Sequence, residues 1–226
     1  MKENIHRDSK PLPSHGTNQL INTPCWKLIE RAISNISLEK DFTVAQVGSG
    51  YTSIDKLNIV KSEVDKKLRE SKVCFLDGID YPELHEQLFA IIDYYNKDVS
   101  KWGYDVCGMD DMQYGIYSEG GFYDWHIDEY PSPIWISSPN SFNKKLGSWY
   151  NRKISVSIFL NDPSEYEGGE LDIEVDGPKA DSRYETFKLS KGSIVVFPSN
   201  KWHRVRPITS GVRKSLVAWI FGPPFR

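Results

Sequence analysis

Residues 122–129 read FYDWHIDE, and within them His126 and Asp128 offer a nitrogen and an oxygen donor two positions apart. Taken alone, a His-x-Asp triplet is common and reads as hydrogen-bonded strand structure. On a β-strand, however, His126 and Asp128 point to one face while Trp125 and Ile127 point to the other. One imidazole and one carboxylate then share a point in space, and a facial metal site needs one further imidazole. The chain has five histidines. His6 and His15 lie in a polar N-terminal stretch and His85 early in a helix, which leaves His203, after the strand-like run GSIVVFPSNKW. In a sandwich, residues distant in sequence meet on the inner face. His126, Asp128 and His203 then make a two-histidine, one-carboxylate set whose open positions suit non-haem Fe(II).

Beyond His203 the chain reads HRVRPITSGVRKS, which places Arg213 and Ser215 on one face of a further strand. An inward guanidinium beside a hydroxyl is a fork for a carboxylate, and a buried arginine without an anion is costly. The plainer reading is a surface arginine at a strand start. Joined to the metal set, the pair favours an iron enzyme with an anionic co-substrate over a zinc site or a simple binding module.

The elements that must position these groups are legible as pattern. Trp26, Leu28, Ile29 and Ile33 fall near helical spacing over residues 24–35. A second helix is expected from Asp80 as N-cap, with Pro82 in its first turn, Glu83 behind it, and Leu84, Leu88, Ile91 and Tyr95 as its apolar stripe. The run Ile54–Lys72 mixes both charge signs and reads as a solvated helix face. After residue 100, MQYGIY, FYDWHID, KISVSIFL, ELDIEV, YETFKL, GSIVVF and KSLVAWIF are β-branched and aromatic runs bounded by turn residues. The fold class is mainly β with flanking α-helices, a β-sandwich or barrel with helices backing one sheet. Residues 130–151, carrying Tyr130, Trp135 and Trp149, are too long for a hairpin turn and are expected to form a lid over the site. Residues 1–17 read as a flexible tail and 18–226 as one domain.

Composition limits the function classes. A net charge of −3 and a pI near 6.0 demand neither nucleic acid nor a membrane surface. The N-terminus has no apolar leader, and LVAWIF at 216–221 is too short to span a bilayer, so a cytoplasmic location is expected. The odd set Cys25, Cys74 and Cys107 suits reduced, packed thiols.

From about Thr43 onward the chain resembles the Fe(II)- and 2-oxoglutarate-dependent dioxygenases of the prolyl 4-hydroxylase superfamily, and is most similar to the small PKHD-type hydroxylases. The motifs that carry the resemblance are YSEGGFYDWHIDE, RKISVSIFLNDPSEYEGGEL and GSIVVFPSNKWHRVRPITSGVRKSLVAW. It implies a double-stranded β-helix, or jelly roll, with His126, Asp128 and His203 on iron. It further implies Arg213 on the distal carboxylate of 2-oxoglutarate, assisted by Ser215, with Tyr117 reaching into the cofactor pocket. Tyr123, Arg152 and Trp219 match residues on the substrate side. One position departs: Phe159 stands where several prolyl hydroxylases carry a tyrosine hydroxyl on the cofactor carboxylate, which leaves Arg213 more dependent on Ser215, Ser157 or water.

The chemistry so implied consumes O2 and 2-oxoglutarate, releases succinate and CO2, and hydroxylates an unactivated C–H bond, with ascorbate as an auxiliary reductant. Peptidyl proline is the leading substrate, giving a prolyl 4-hydroxylase. A free amino acid or other small molecule is the alternative, and a non-catalytic metal-binding β-sandwich lies outside the enzyme class. Neither a nucleic-acid nor a membrane partner is expected, and the chain is expected to act as a monomer or homodimer. A nucleic-acid demethylase has only Arg204, Arg206, Arg213 and Lys214 in its favour.

Overall fold

Alternation along four strands sets the architecture. In Trp149–Phe159, Ile154, Val156 and Ile158 are fully buried on one face, while Ser155, Ser157 and Phe159 occupy the other. In Arg213–Gly222 the same split separates Leu216, Ala218 and Ile220 from Arg213, Ser215, Val217 and Trp219. Ser193–Pro198 divides into Ile194 and Val196 against Val195 and Phe197, and Met112–Tyr117 into Met112 and Tyr114 against Gln113 and Tyr117. A sheet buried on both faces needs two coverings. The computed structural model, which describes residues 16–36, 41–54, 57–135, 148–175 and 183–225, supplies both.

The larger sheet has nine strands. Its main path runs Gly16–Gln19, Ser193–Pro198, Trp149–Phe159, Arg213–Gly222, Met112–Tyr117, Lys72–Leu76 and Thr43–Val44, all antiparallel. One face packs with two helices, α1 (Pro24–Ser34) and α2 (Pro82–Tyr94), in a single core that joins Ile29, Leu88 and Ile92 to Ile154, Val156 and Leu216. The other face meets a five-stranded sheet ordered Tyr184–Phe187, Leu171–Glu174, His203–Val205, Phe122–His126 and Arg69–Glu70. Between them lies a second core of Phe159, Val195 and Phe197 with Leu171, Ile173 and Val205. The seven expected strands are all present, and two antiparallel sheets facing one another with helices behind the larger one are the jelly-roll arrangement.

Several elements differ from expectation. The stretch 54–72 is not a helix face: Val47–Ile54 and Leu57–Glu63 form an antiparallel pair, and Arg69–Glu70 joins the smaller sheet. Leu57 and Ile59 have the two-residue period of a strand, which the interleaved charges obscured. Helix α2 does not take Asp80 as its N-cap; Tyr81 holds that position without a side-chain cap bond. Asp77 does the related work, its Oδ1 accepting from the backbone N–H of Ile79 and of Asp80, both at 2.8 Å. An Asx turn therefore leads into the helix, and Pro82 at the start needs no cap for its missing N–H. Of the expected stripe, Leu84, Leu88 and Tyr95 are buried, whereas Ile91 is half-buried and Ile92 takes the core position. Helix α1 follows its pattern, with Thr23 Oγ1 accepting from the Trp26 N–H at 3.1 Å.

Strand Gly16–Gln19 begins inside the expected tail and pairs with Ser193–Val196; residues 1–15 lie outside the described residues. Of the expected lid, 136–147 lie outside them too, while Ile134–Trp135 pairs with Trp149–Tyr150 at the loop's base. Among the described residues no helix is long and apolar enough to cross a membrane.

Candidate metal centre and ligand pocket

Strand pairing brings the distant histidines together. In the smaller sheet His203 lies directly opposite His126, with ring centroids 4.0 Å apart. The strand ends at His126, and the backbone N–H groups of Asp128 and Glu129 both donate to the Ser199 carbonyl, at 3.0 and 2.9 Å. That anchor turns the Asp128 carboxylate toward the imidazoles. Its Oδ1 lies 3.8 Å from His126 Nε2 and its Oδ2 3.3 Å from His203 Nε2. One donor atom from each residue falls within 4.8 Å of the other two.

The imidazoles are set for ligation by their far sides. His126 Nδ1 faces the Asp124 carbonyl at 2.7 Å and His203 Nδ1 faces the Lys201 carbonyl at 3.0 Å. A carbonyl only accepts, so each Nδ1 carries its proton and each Nε2 is the ring atom turned toward Asp128 and free to ligate. Burial, then the neighbouring His203, pushes His126 down to about 3, which keeps this imidazole neutral at neutral pH. Burial alone would raise Asp128, but the charge and hydrogen bonding of His203 hold its carboxyl well below the ordinary carboxylate range. Two imidazoles with Nε2 turned inward and a carboxylate fit a divalent metal.

Asp128 is also fixed from behind. Ser155 donates to its Oδ2 at 2.7 Å and contacts the Ser199 hydroxyl at 2.9 Å, both serines being buried. This hydroxyl pair was not singled out in the sequence; its signal is the serine that alternates with apolar residues in KISVSIF. Ser155→Ala should weaken metal affinity about 10- to 100-fold with the fold retained, as is usual for groups that orient a ligand. A metal titration in which the variant matches the parent protein would show that Asp128 is held by the backbone alone.

The same geometry fixes a pH response of the metal-free protein. Its unfolded chain protonates His126 near the ordinary 6.5, whereas the folded chain resists protonation until about 3. The unfolded state therefore binds more protons across that interval, and stability falls as pH is lowered through it. Buried His85, also lowered by desolvation, adds to the fall, and the depressed Asp128 extends it below the ordinary carboxylate range. The urea midpoint should decrease from pH 7 to pH 4, less steeply in His126→Phe; a midpoint independent of pH would contradict this account.

A cavity opens in front of the three ligands, lined by Tyr117, Tyr123, Arg213, Ser215 and Trp219 among others. Tyr123 stacks on His126 with centroids 3.5 Å apart, and Phe197 meets His203 edge-on at 4.8 Å. Arg213 is 1% exposed and sends Nη1 to Ser215 Oγ at 3.1 Å. Its Nε and Nη2 have no hydrogen-bond partner. These two atoms form one edge of the guanidinium, two parallel donors with the spacing of a carboxylate. The rings of Tyr117 and Phe159 flank the group at 5.5 and 5.4 Å. Tyr117, Ser157 and Ser215 line the same cavity as Arg213.

Of the expected substrate-side residues, Tyr123 and Trp219 line the cavity. Arg152 stands beside it, over the Trp219 ring at 4.1 Å and the Tyr130 ring at 4.7 Å, with Nε donating to Asp110 at 3.0 Å. Two further polar residues line the cavity without a signal in the sequence, Arg69 and Gln113. Arg69, 5% exposed, donates from Nε to Ser71 at 2.8 Å and from Nη2 to Gln113 at 2.7 Å, and lies over the Tyr123 ring at 4.5 Å. Its strand pairs with Phe122 and Tyr123, a contact that no local pattern discloses.

The description 2OG-Fe(II) oxygenase superfamily matches residues 112–221, the segment that carries all three candidate metal ligands and Arg213. Through this segment, just under half of the chain, the protein is similar to that superfamily. It is 37% identical over 109 residues to a PKHD-type hydroxylase of Teredinibacter turnerae, covering 48% of this chain and 41% of that one. A PKHD-type hydroxylase of Hyphomonas neptunium is 37% identical over 102 residues, covering 45% and 38%. The chain thus spans about two fifths of the length of the curated relatives it matches. Its fold is similar to a prolyl hydroxylase from Trichoplax adhaerens solved with a hypoxia inducible factor peptide fragment, with TM-score 0.61, 15% identity and coverage of 92% and 84%. It is similar also to a Pseudomonas putida prolyl-4-hydroxylase, with TM-score 0.57, 17% identity and 92% of both chains covered.

Proposed function

We propose that this protein is a dioxygenase that uses Fe(II), O2 and 2-oxoglutarate to hydroxylate an unactivated C–H bond, releasing succinate and CO2, with peptidyl proline as the leading substrate and position 4 as the site. The observation that carries the reading is the joint presence, around one cavity, of a metal-ready His126–Asp128–His203 set and an unpartnered Arg213 edge. Iron with its co-substrate would supply the oxidising power. The chain's residues bind and orient. His126, Asp128 and His203 hold the metal on one side, leaving the cavity side open. Arg213 and Ser215 receive the distal carboxylate, which fixes the co-substrate's direction, and Tyr117 packs along it. Tyr123, Arg152 and Trp219 frame the substrate side and keep water from it. Ascorbate as a reductant, a cytoplasmic location and a monomeric or homodimeric state belong to the same proposal.

A second reading, hydroxylation of a free amino acid or similar small anion, is favoured by one feature. Arg69 is a buried cation whose hydrogen-bond partners, Ser71 and Gln113, are both neutral, so a substrate carboxylate would complement it. Anaerobic titration with Fe(II) and 2-oxoglutarate, followed by an O2-dependent succinate assay over proline peptides and free amino acids, tests both. Succinate coupled to a hydroxylated peptide supports the first, and coupling to a free amino acid the second. No succinate under any condition would overturn both in favour of a non-catalytic metal-binding sandwich.

A further inference from the structure

Phe159 stands beside the Arg213 guanidinium with no hydroxyl to offer, and another residue brings a hydroxyl to the same group. Tyr166 opens the short strand Tyr166–Gly168, where it pairs with Gly211. It is 3% exposed and shares a core with Phe159. Its Oη is buried without a hydrogen-bond partner, as are Nε and Nη2 of Arg213. Three unsatisfied polar atoms in one region are far from the norm for a folded protein; the phenol oxygen stands close enough to accept from the guanidinium, but its own proton and a guanidinium N–H then still need an acceptor.

The surrounding backbone holds the two residues close. Gly169 has φ +64, and a Cβ there would lie 3.0 Å from Arg213 Cδ, 3.2 Å from Tyr166 Cε2 and 2.3 Å from Ile208 Cδ1. A Cβ on Gly211, at φ +77, would come within 2.9 Å of Tyr166 Cα. Both positions thus need glycine for their backbone angle and for the space. Lys188 Nζ donates to the Tyr166 carbonyl at 3.1 Å and lies 4.9 Å over its ring. Burial raises the Tyr166 phenol, with the charge and hydrogen bonding of Arg213 opposing, so the hydroxyl stays protonated at neutral pH and keeps a proton to donate.

We infer that Tyr166 is a co-substrate-binding residue: its hydroxyl and the Nε–Nη2 edge of Arg213 together receive the distal carboxylate, taking the part that Phe159 cannot play. This rests on the dioxygenase reading above. Tyr166 is not among the residues lining the cavity, whereas Arg213 is, so the carboxylate seats at the guanidinium edge beside the hydroxyl. A carboxylate there accepts from all three donors at once, whereas water, with two acceptor sites, leaves one unmet.

The test compares 2-oxoglutarate with 2-oxovalerate, which keeps the 2-oxo acid head and lacks the distal carboxylate, by calorimetry on Mn(II)-loaded protein without O2. Tyr166→Phe should weaken 2-oxoglutarate by about 10-fold or more, the scale of a hydrogen bond to a charged group, and leave 2-oxovalerate within about twofold. Adding Phe159→Tyr to that variant should restore much of the loss. Unchanged 2-oxoglutarate affinity, or an equal loss for both ligands, would overturn the inference. Selective loss without restoration would make Tyr166 a support behind Arg213 and overturn direct contact. Parent protein that binds neither ligand would refute the dioxygenase reading itself, whereas intact parent binding with an indifferent Tyr166→Phe refutes only this residue's part.

Discussion

Asp128→Ala and His203→Ala should each reduce product formation to background, at least about 100-fold and beyond what the loss of a supporting residue produces. Each removes one of three protein ligands from a site that has no fourth candidate nearby: among the described residues, His126, Asp128 and His203 are the one cluster of metal-binding type. Loss of fold is the competing explanation, and the geometry argues against it for Asp128. Ser155 and Ser199 keep their mutual contact at 2.9 Å when the carboxylate is gone, and the two imidazoles keep their carbonyl partners. His203→Ala is harsher, since it leaves a buried carboxylate without the imidazole 3.3 Å away and with Ser155 as its remaining close partner. Asp128→Glu should also be damaging, because the longer arm shifts the carboxylate away from Ser155 while the backbone stays pinned to Ser199. Circular dichroism and metal titration separate the cases. A folded variant of either residue that turns over near the parental rate would end the assignment of the metal site.

What made the site legible was two-residue alternation. His126 and Asp128 announce a shared direction if the strand runs through both; it ends at His126, and the Ser199 carbonyl completes the turn of Asp128, whereas Arg213 and Ser215 do share one strand. Elimination among five histidines then leaves His203. The four central strands of the larger sheet were legible for the same reason, since β-branched runs bounded by turn residues have few other structures open to them, whereas Gly16–Gln19, Thr43–Val44 and Lys72–Leu76 carry no such signal.

Residues that depend on non-local pairing were not legible. Arg69 sits among charges of both signs, and only the register of its strand against Phe122–Tyr123 turns it into the cavity. Ser155 looks like any inward serine until the Ser199 carbonyl is known to anchor Asp128. Tyr166 lies in the turn-rich segment NDPSEYEGG, and its nearness to Arg213 arises from the pairing of Tyr166–Gly168 with Ile208–Gly211. The helix start at Asp80 failed for a related reason: Tyr81 takes the N-cap position and Asp77 makes the turn before it, which only the backbone path decides.

Arg213 offers the second large effect, with two opposite signs in one variant. A hydrogen bond to a charged group contributes about 1.5–3 kcal/mol, so Arg213→Ala should weaken 2-oxoglutarate about 10- to 150-fold while leaving metal affinity nearly unchanged. Alanine also leaves a void where one of the largest fully buried side chains stood, so its folding stability is hard to interpret. Arg213→Met is the sharper probe. In the ligand-free protein the guanidinium is buried with two of its nitrogens unpartnered, and a methionine that fills the space between Tyr117 and Phe159 removes that desolvation cost. The Met variant should therefore melt at the same temperature as the parent or higher without ligand. A saturating co-substrate at 100 times its Kd stabilises the folded parent by about 2.7 kcal/mol, and the variant should lose most of that gain. Thermal melts of metal-loaded protein with and without 2-oxoglutarate read both effects. A Met variant that keeps the ligand-induced shift would place the anion site elsewhere, and one that unfolds early without ligand would mean that Arg213 serves the fold before it serves the co-substrate.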